Sequence, residues 1–252
     1  MKLTILGTSA AYAGREQNCP SYLLSSGERH YLIDTGPGCV SFLQNFVSIQ
    51  EISGIFLSHL HADHVSDFYT LRYGVYIAQD RGLMKRDVPL YLPGKPKNTF
   101  KAIRNTAKEN FSLTLISESL ALSLNGLKVH FKRTAHTIPA YAIRFDDLRV
   151  DSGEKSIVYT ADTAYFDELV QFSKGADILL AEATFQNSEK ELANLGHMTA
   201  ESAAALAQDA GVRTLILTHI MPYYDPVLSL EEAKKCFDGK VIIAQKGQQY
   251  NL

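Results

Sequence analysis

His59-Leu60-His61-Ala62-Asp63-His64 is the stretch that decides how this chain is read. It places four side chains able to ligate a metal within six positions. Imidazole and carboxylate together suit zinc or a similar divalent ion. Burying such groups without a partner is costly. The run follows Ile55-Phe56-Leu57, an apolar triplet that reads as a buried strand. At a strand end the four side chains converge on one small volume. A lone histidine is usually a satisfied core or surface residue, but that reading would have to hold four times in six positions.

Strand-like and helix-like segments alternate on both sides of this run. Strands are expected over 3–6, 21–24 and 31–33, and a helix over 40–47 after Gly36-Pro37-Gly38. A helix is expected over 68–78, a strand over 88–92 and a helix over 99–110. Residues 120–124 and 127–131 alternate around Asn125-Gly126, a strong hairpin signal. Further strands follow over 141–145 and 156–159. The pattern then runs helix 165–173, strand 178–181, helix 199–210, strand 214–217, helix 229–237, strand 241–244. Mixed sheets with helices outside, in a four-layer α/β arrangement, account for this order. A single domain over 1–252 is expected, with no linker, low-complexity tract or short repeat.

The chain has 252 residues, 46% of them hydrophobic and 21% charged, enough to bury a sizeable core. A net charge of −2 gives no global pull towards nucleic acid or an anionic membrane. Lys85, Arg86, Lys95, Lys97, Lys101 and Arg104 cluster in sequence, as a solvated helix and its flanks would. Cys19, Cys39 and Cys236 are odd in number and far apart, so neither a disulfide framework nor a cysteine metal site is indicated. A reducing, cytoplasmic setting fits. No stretch has the roughly 18 apolar residues of a membrane span.

Three more candidate ligands each lie just past a strand-like segment. His136 stands in Arg133-Thr134-Ala135-His136-Thr137, Asp162 after Ile157-Val158-Tyr159-Thr160-Ala161, and His219 after Leu215-Ile216-Leu217-Thr218. Strand ends are rigid places from which to build a site. Each residue alone could equally be a turn cap; together with the six-residue run they point to one centre. Asp34, in Tyr31-Leu32-Ile33-Asp34-Thr35-Gly36, could orient a ligand histidine or cap the following helix.

This set resembles the metallo-β-lactamase fold superfamily, and the resemblance spans essentially the whole chain. It implies an αββα sandwich with a two-metal site, zinc or manganese, at one edge. By the same resemblance His59, His61 and His136 would hold the first ion, Asp63, His64 and His219 the second, and Asp162 would bridge them. Asp63 is also a candidate proton acceptor. Asp162 where some relatives carry cysteine argues against the cysteine-ligand branch of antibiotic-hydrolysing enzymes. The absence of H-x-E-x-D argues against the flavodiiron branch.

Three segments narrow the branch. Leu6-Gly7-Thr8-Ser9-Ala10-Ala11, Ala181-Glu182-Ala183-Thr184-Phe185 and Gly196-His197-Met198-Thr199-Ala200 resemble the ribonuclease Z-like branch, with Ala181 where that branch has histidine. The resemblance implies that Glu182 and His197 pair beside the metals and protonate the leaving group. Read without it, Glu182 is a buried salt-bridge partner and His197 a residue flanking the helix that Thr199 caps.

True ribonuclease Z enzymes carry a long arm that grips tRNA between the positions matching His136 and Asp162. Here only 25 residues intervene, read as two strands and a turn. The expected function is therefore hydrolysis of a small or cyclic phosphodiester, with RNA ends as a further substrate. Tyr165, Tyr223 and Tyr224 could stack on a base or sugar, or simply pack. The resemblance also favours a homodimer, with Phe68, Leu71 and Val75 either at its seam or packed on the sheet. His30 and His130 read as structural. Two alternatives stand beside this: a lactone, thioester or β-lactam hydrolase, and a non-catalytic metal-binding carrier.

Overall fold

The computed structural model describes residues 1–149, 153–193 and 195–252. In chain order the elements are β1 (Lys2–Gly7), β2 (Ser21–Ser26), β3 (Arg29–Ile33), α1 (Cys39–Leu43), β4 (Ile52–Phe56), α2 (Ala62–Val65), α3 (Phe68–Asp80), β5 (Val88–Leu92), α4 (Lys97–Ala107) and β6 (Phe111–Leu115). There follow β7 (Ala121–Leu124), β8 (Leu127–Arg133), β9 (Tyr141–Asp147), β10 (Lys155–Tyr159), α5 (Asp167–Ser173), β11 (Ile178–Glu182), α6 (Lys190–Ala193), α7 (Ala200–Ala210), β12 (Thr214–Thr218), α8 (Pro226–Lys234), β13 (Lys240–Ile243) and β14 (Gln249–Asn251). The chain divides into two compact units, Met1–Ile116 with Gln245–Asn251, and Ser117–Ala244 with Leu252.

Each unit holds one seven-stranded mixed sheet. The first runs β14-β1-β2-β3-β4-β5-β6 and the second β13-β12-β11-β10-β9-β8-β7. In the first, β14 to β3 pair antiparallel and β3 to β6 parallel. In the second, β7 to β10 pair antiparallel and β10 to β13 parallel. The two sheets thus repeat one plan, four antiparallel strands continuing into parallel ones, although the sequence shows no repeat. Asn125 and Gly126 turn β7 into β8 with φ of 53° and 87°, as a two-residue hairpin with both central residues left-handed requires. Of the turn expected between β9 and β10, residues 150–152 lie outside the described residues.

Burial follows topology. The outer hairpin strands β7 and β8 alternate exposed and covered residues, whereas β11 is buried throughout. That is the difference between a strand with one wet face and a parallel strand covered on both. Phe68, Leu71, Val75 and Ala78 of α3 pack with Leu23, Leu32, Ile55 and Leu90 in the core of the first unit. The face considered for a dimer seam is therefore spent on the sheet of its own unit. In the second unit α7 presents Ala200, Ala203, Ala204, Ala207 and Ala210, all buried, and these small side chains let it lie close to the sheet.

Several helix boundaries differ from the sequence reading, and at the last helix capping outweighs hydrophobic spacing. The last helix starts at Pro226 rather than 229, because Asp225 accepts from the Val227 N–H and proline suits the first helical position. The fourth helix begins at Lys97 and stops at Ala107, two and three residues before the expected bounds. The first is only Cys39–Leu43, not 40–47. Strand β14 was not foreseen: its three residues gain their conformation by pairing with β1. Arg86, of the basic cluster, donates to the Ile52 carbonyl, and Arg104 lies 5.7 Å over the Phe100 ring. His30 bonds Ser25 through Nδ1 at 2.9 Å, in keeping with a structural role. Among the described residues no helix is long and apolar enough to cross a membrane.

Phe68→Ala should cost about 3–5 kcal/mol in urea unfolding. Tyr73→Ala, on the same helix but 58% exposed, should stay within about 0.5 kcal/mol. Equal costs would overturn this assignment of the helix face.

Candidate metal centre

Both sheets deliver polar residues at the carboxyl ends of strands near the point where pairing changes from antiparallel to parallel. Open α/β sheets place ligands at such switch points. Three of the residues involved have left-handed backbones although none is glycine: Asp34 (φ 54°) after β3, Ala161 (φ 52°) after β10, and His219 (φ 53°) after β12. This conformation costs about 1 kcal/mol or more each, and it concentrates at functional sites. It turns the chain sharply as it leaves the sheet.

In the first unit the run His59 to His64 spans the loop after β4 and most of α2. Its organiser is Asp34, fully buried. Asp34 Oδ1 accepts the Ser58 N–H at 2.7 Å, and Oδ2 accepts the Ser58 hydroxyl at 2.7 Å and His64 Nδ1–H at 2.8 Å. The Ser58 hydroxyl, its one proton committed to the carboxylate, accepts His59 Nδ1–H at 3.1 Å. One carboxylate therefore fixes two imidazoles in the tautomer that leaves Nε2 with a lone pair, directly for His64 and through Ser58 for His59. The His59 ring lies tilted 4.0 Å from His64 and edge-on 4.9 Å from His61, centroid to centroid. His64 Nε2 lies 3.4 Å from Asp63 Oδ2. Gly36 makes the packing possible: a Cβ there would stand 2.2 Å from the Asp63 carbonyl. Burial, first, and nearby Asp63 push the Cys19 thiol up to about 12, so it stays protonated.

In the second unit Asp162 Oδ2 lies 4.0 Å from His136 Nε2 and 3.5 Å from His219 Nε2. Ligand atoms of Asp162, His197 and His219 fall within 4.8 Å of one another. His136 donates Nδ1–H to the Gly196 carbonyl at 2.8 Å. Position 196 admits little else: its φ is 110°, and a Cβ would press on the His136 ring at 3.1 Å. Burial, more than Asp162 opposes it, pushes the His136 imidazole below its ordinary pKa and holds it neutral.

Glu182, at the end of β11, is fully buried and accepts four hydrogen bonds. Oε1 takes the Thr163 N–H at 2.8 Å and His197 Nδ1–H at 2.9 Å; Oε2 takes the Thr184 N–H at 3.1 Å and its hydroxyl at 2.7 Å. His197 is 21% exposed. The expected Glu182–His197 pair is thus present, and its salt-bridge reading and its proton-delivery reading describe the same contact. Thr199 caps α7 as expected, through a reciprocal pair with Ser202. Tyr165 donates to Asp209 at 2.9 Å, Tyr223 is 61% exposed, and the Tyr223 and Tyr224 rings meet at 4.7 Å. Sequence reasoning missed Ser58, Thr163 and Thr184. Ser58 precedes His59, Thr163 follows Asp162 and Thr184 lies two residues past Glu182, and that proximity was the available signal.

A family model described as the β-lactamase superfamily domain matches residues 29–220. The chain belongs to that superfamily. A probable metallo-hydrolase of Bacillus subtilis, YhfI, is 30% identical over 248 residues, 98% of each chain. The crystal structure of the Bacillus subtilis metallo-β-lactamase fold protein YhfI aligns with a TM-score of 0.89 at 27% identity, over 99% of this chain and 98% of that one. A ribonuclease Z of Archaeoglobus fulgidus is 27% identical over 294 residues, 96% of this chain and 94% of its own. These place the chain on the ribonuclease Z-like branch of metallo-hydrolases. The short form of human tRNase Z shares the fold, with a TM-score of 0.78 at 22% identity over 100% of this chain and 99% of that one. The expected αββα class is borne out as two mixed sheets flanked by helices.

Metallo-β-lactamase proteins bind divalent metal ions, and the donor set here fits them. His59, His64, His136 and His219 each have Nδ1 tied to an oxygen of the protein, which leaves Nε2 as the ligating atom, and Asp63 and Asp162 supply carboxylates.

Asp34→Ala strands the Ser58 N–H, the Ser58 hydroxyl and His64 Nδ1–H in a buried place. The metal-free variant should lose at least about 2–3 kcal/mol in urea unfolding. An unchanged midpoint would show that Asp34 is not the organiser of the cluster in the first unit.

Proposed function

We propose that the chain is a single-domain hydrolase over 1–252 that cleaves a small or cyclic phosphodiester, or an RNA end, with two divalent metal ions, zinc or manganese. The observation that carries this reading is the Glu182–His197 pair: a fully buried carboxylate accepting Nδ1–H of a part-exposed histidine at 2.9 Å. A departing alkoxide needs a proton as it leaves, and a histidine held by a carboxylate can supply it. The name of the ribonuclease Z relative supports phosphodiester chemistry. The short β9–β10 connection supports a substrate smaller than tRNA.

His59, His61 and His136 would hold one ion, Asp63, His64 and His219 the other, and Asp162 both. When bound, the ions supply Lewis-acid polarisation of the phosphoryl group and bring the pKa of water towards neutrality. Asp63 takes the proton that the attacking water gives up. His197 gives a proton from Nε2 to the leaving oxygen as the P–O bond breaks, while Glu182 accepts the Nδ1–H and stabilises the imidazolium. Thr163 and Thr184 hold Glu182 so that its oxygen stays on the imidazole.

The metal-quantified protein should hydrolyse bis(p-nitrophenyl) phosphate, and Asp63→Ala should abolish turnover. His197→Ala should lose roughly 10²–10⁴-fold on a 2′,3′-cyclic nucleotide, whose leaving group is an alkoxide, but much less on the aryl diester, whose leaving group departs unaided. Equal losses on both would remove His197 from proton delivery. Cleavage of a lactone or β-lactam without diester turnover would move the assignment to acyl hydrolysis, and two bound ions with no turnover of any of these would favour a carrier.

A further inference from the structure

Thr184 makes contacts that holding Glu182 does not account for. Its hydroxyl lies 2.7 Å from Glu182 Oε2, 2.7 Å from His219 Nδ1 and 3.2 Å from His197 Nδ1. A hydroxyl has one proton to give and two lone pairs with which to accept. The carboxylate is the strongest acceptor of the three neighbours, because an ionised oxygen roughly doubles the strength of a hydrogen bond. The proton therefore goes to Glu182 Oε2. His197 Nδ1 already donates to Glu182 Oε1. What remains is a lone pair on the Thr184 oxygen facing His219 Nδ1, which must then carry a proton and donate it.

The same construction exists in the first unit, where the Asp34 carboxylate takes the Ser58 hydroxyl proton and Ser58 accepts from His59 Nδ1. Each unit thus has a fully buried carboxylate that binds one histidine directly and a second through a hydroxyl. In the first unit both histidines belong to the ligand run. In the second unit, by analogy of construction, the directly held histidine is His197 and the one held through the hydroxyl is His219.

We propose that Thr184 is a positioning residue for the metal centre: it relays the Glu182 carboxylate to His219 and so fixes His219 in the Nδ1–H tautomer before any metal arrives. Glu182 then serves two ends, proton delivery through His197 and metal retention through Thr184 and His219. This rests on the metal assignment under Proposed function. His219 takes the left-handed backbone at φ 53°, so its ring orientation is not set by a relaxed turn and needs an external tether.

The test separates this from the reading it rests on. Wild type, Thr184→Val and Thr184→Ser are loaded with zinc, and retention is titrated against a chromophoric chelator. Two ions in wild type, a roughly 10–100-fold weaker hold on one of them in Thr184→Val, and recovery in Thr184→Ser are expected. Unfolding midpoints of the metal-free variants are measured alongside, to separate lost retention from lost folding. Fewer than two ions in wild type would overturn the metal assignment and this inference with it. Two ions in wild type held equally well by Thr184→Val would overturn the inference alone. Should Thr184→Val not fold, nitrogen-15 NMR of wild-type histidines decides. A His219 Nδ1–H that persists after metal removal supports the relay, and a switch to Nε2–H on removal overturns it.

Discussion

Two fully buried carboxylates, Asp34 and Glu182, are the constraint on which the rest of this molecule depends. Moving a carboxylate out of water costs several kcal/mol unless hydrogen bonds replace its hydration. Asp34 meets that demand with three donors and Glu182 with four. The donors are backbone N–H groups of the adjoining loops, a hydroxyl, and an imidazole. Satisfying the carboxylate therefore also fixes where the loops run and which way the histidines face. Site geometry is in this sense a by-product of satisfying a buried charge.

The sheets explain why those carboxylates can sit at such places at all. Each unit repeats one plan, four antiparallel strands continuing into parallel ones, with polar residues at the carboxyl ends near the change of direction. A parallel strand is covered on both faces, so the residue following it is already surrounded by protein when it leaves the sheet. That is why Asp34, Asp162 and His219 are buried even though each belongs to a loop.

What could be read from the sequence was whatever is local. The six-residue run announced itself because its candidate ligands are neighbours in the chain, and His136, Asp162 and His219 because each follows an apolar strand. Glu182 and His197 were found as short segments with a familiar pattern. Ser58, Thr163 and Thr184 were not found, since each takes its role from partners far off in sequence. The Ser58 hydroxyl donates to Asp34 across 24 positions, the Thr163 backbone N–H to Glu182 across 19, and the Thr184 hydroxyl meets His219 Nδ1 across 35. The Gly196 carbonyl that holds His136 has no side chain to betray it; its only mark was a glycine before a histidine. The start of α8 was missed for a different reason: its cap, Asp225-Pro226, precedes the first apolar residue of the helix. Strand β14 has no strand-like composition and exists because β1 offers it an edge.

The three left-handed residues give the last step of the argument. A backbone held at φ 52–54° by a non-glycine residue is a local cost with no local return. It persists at Asp34 because that residue's carboxylate is tied down by Ser58 and His64, and at His219 because its ring is tied to Thr184. At Ala161 nothing of the side chain could do this. There the tether lies in the next residues: the Asp162 carbonyl accepts the Thr134 hydroxyl at 2.9 Å, and the Thr163 N–H is bound to Glu182. The hydrogen bonds that satisfy the buried carboxylates thus also hold the strained turns. Loosening either carboxylate would release the turn and the histidine it holds together, so within each unit strain and burial are one system rather than two.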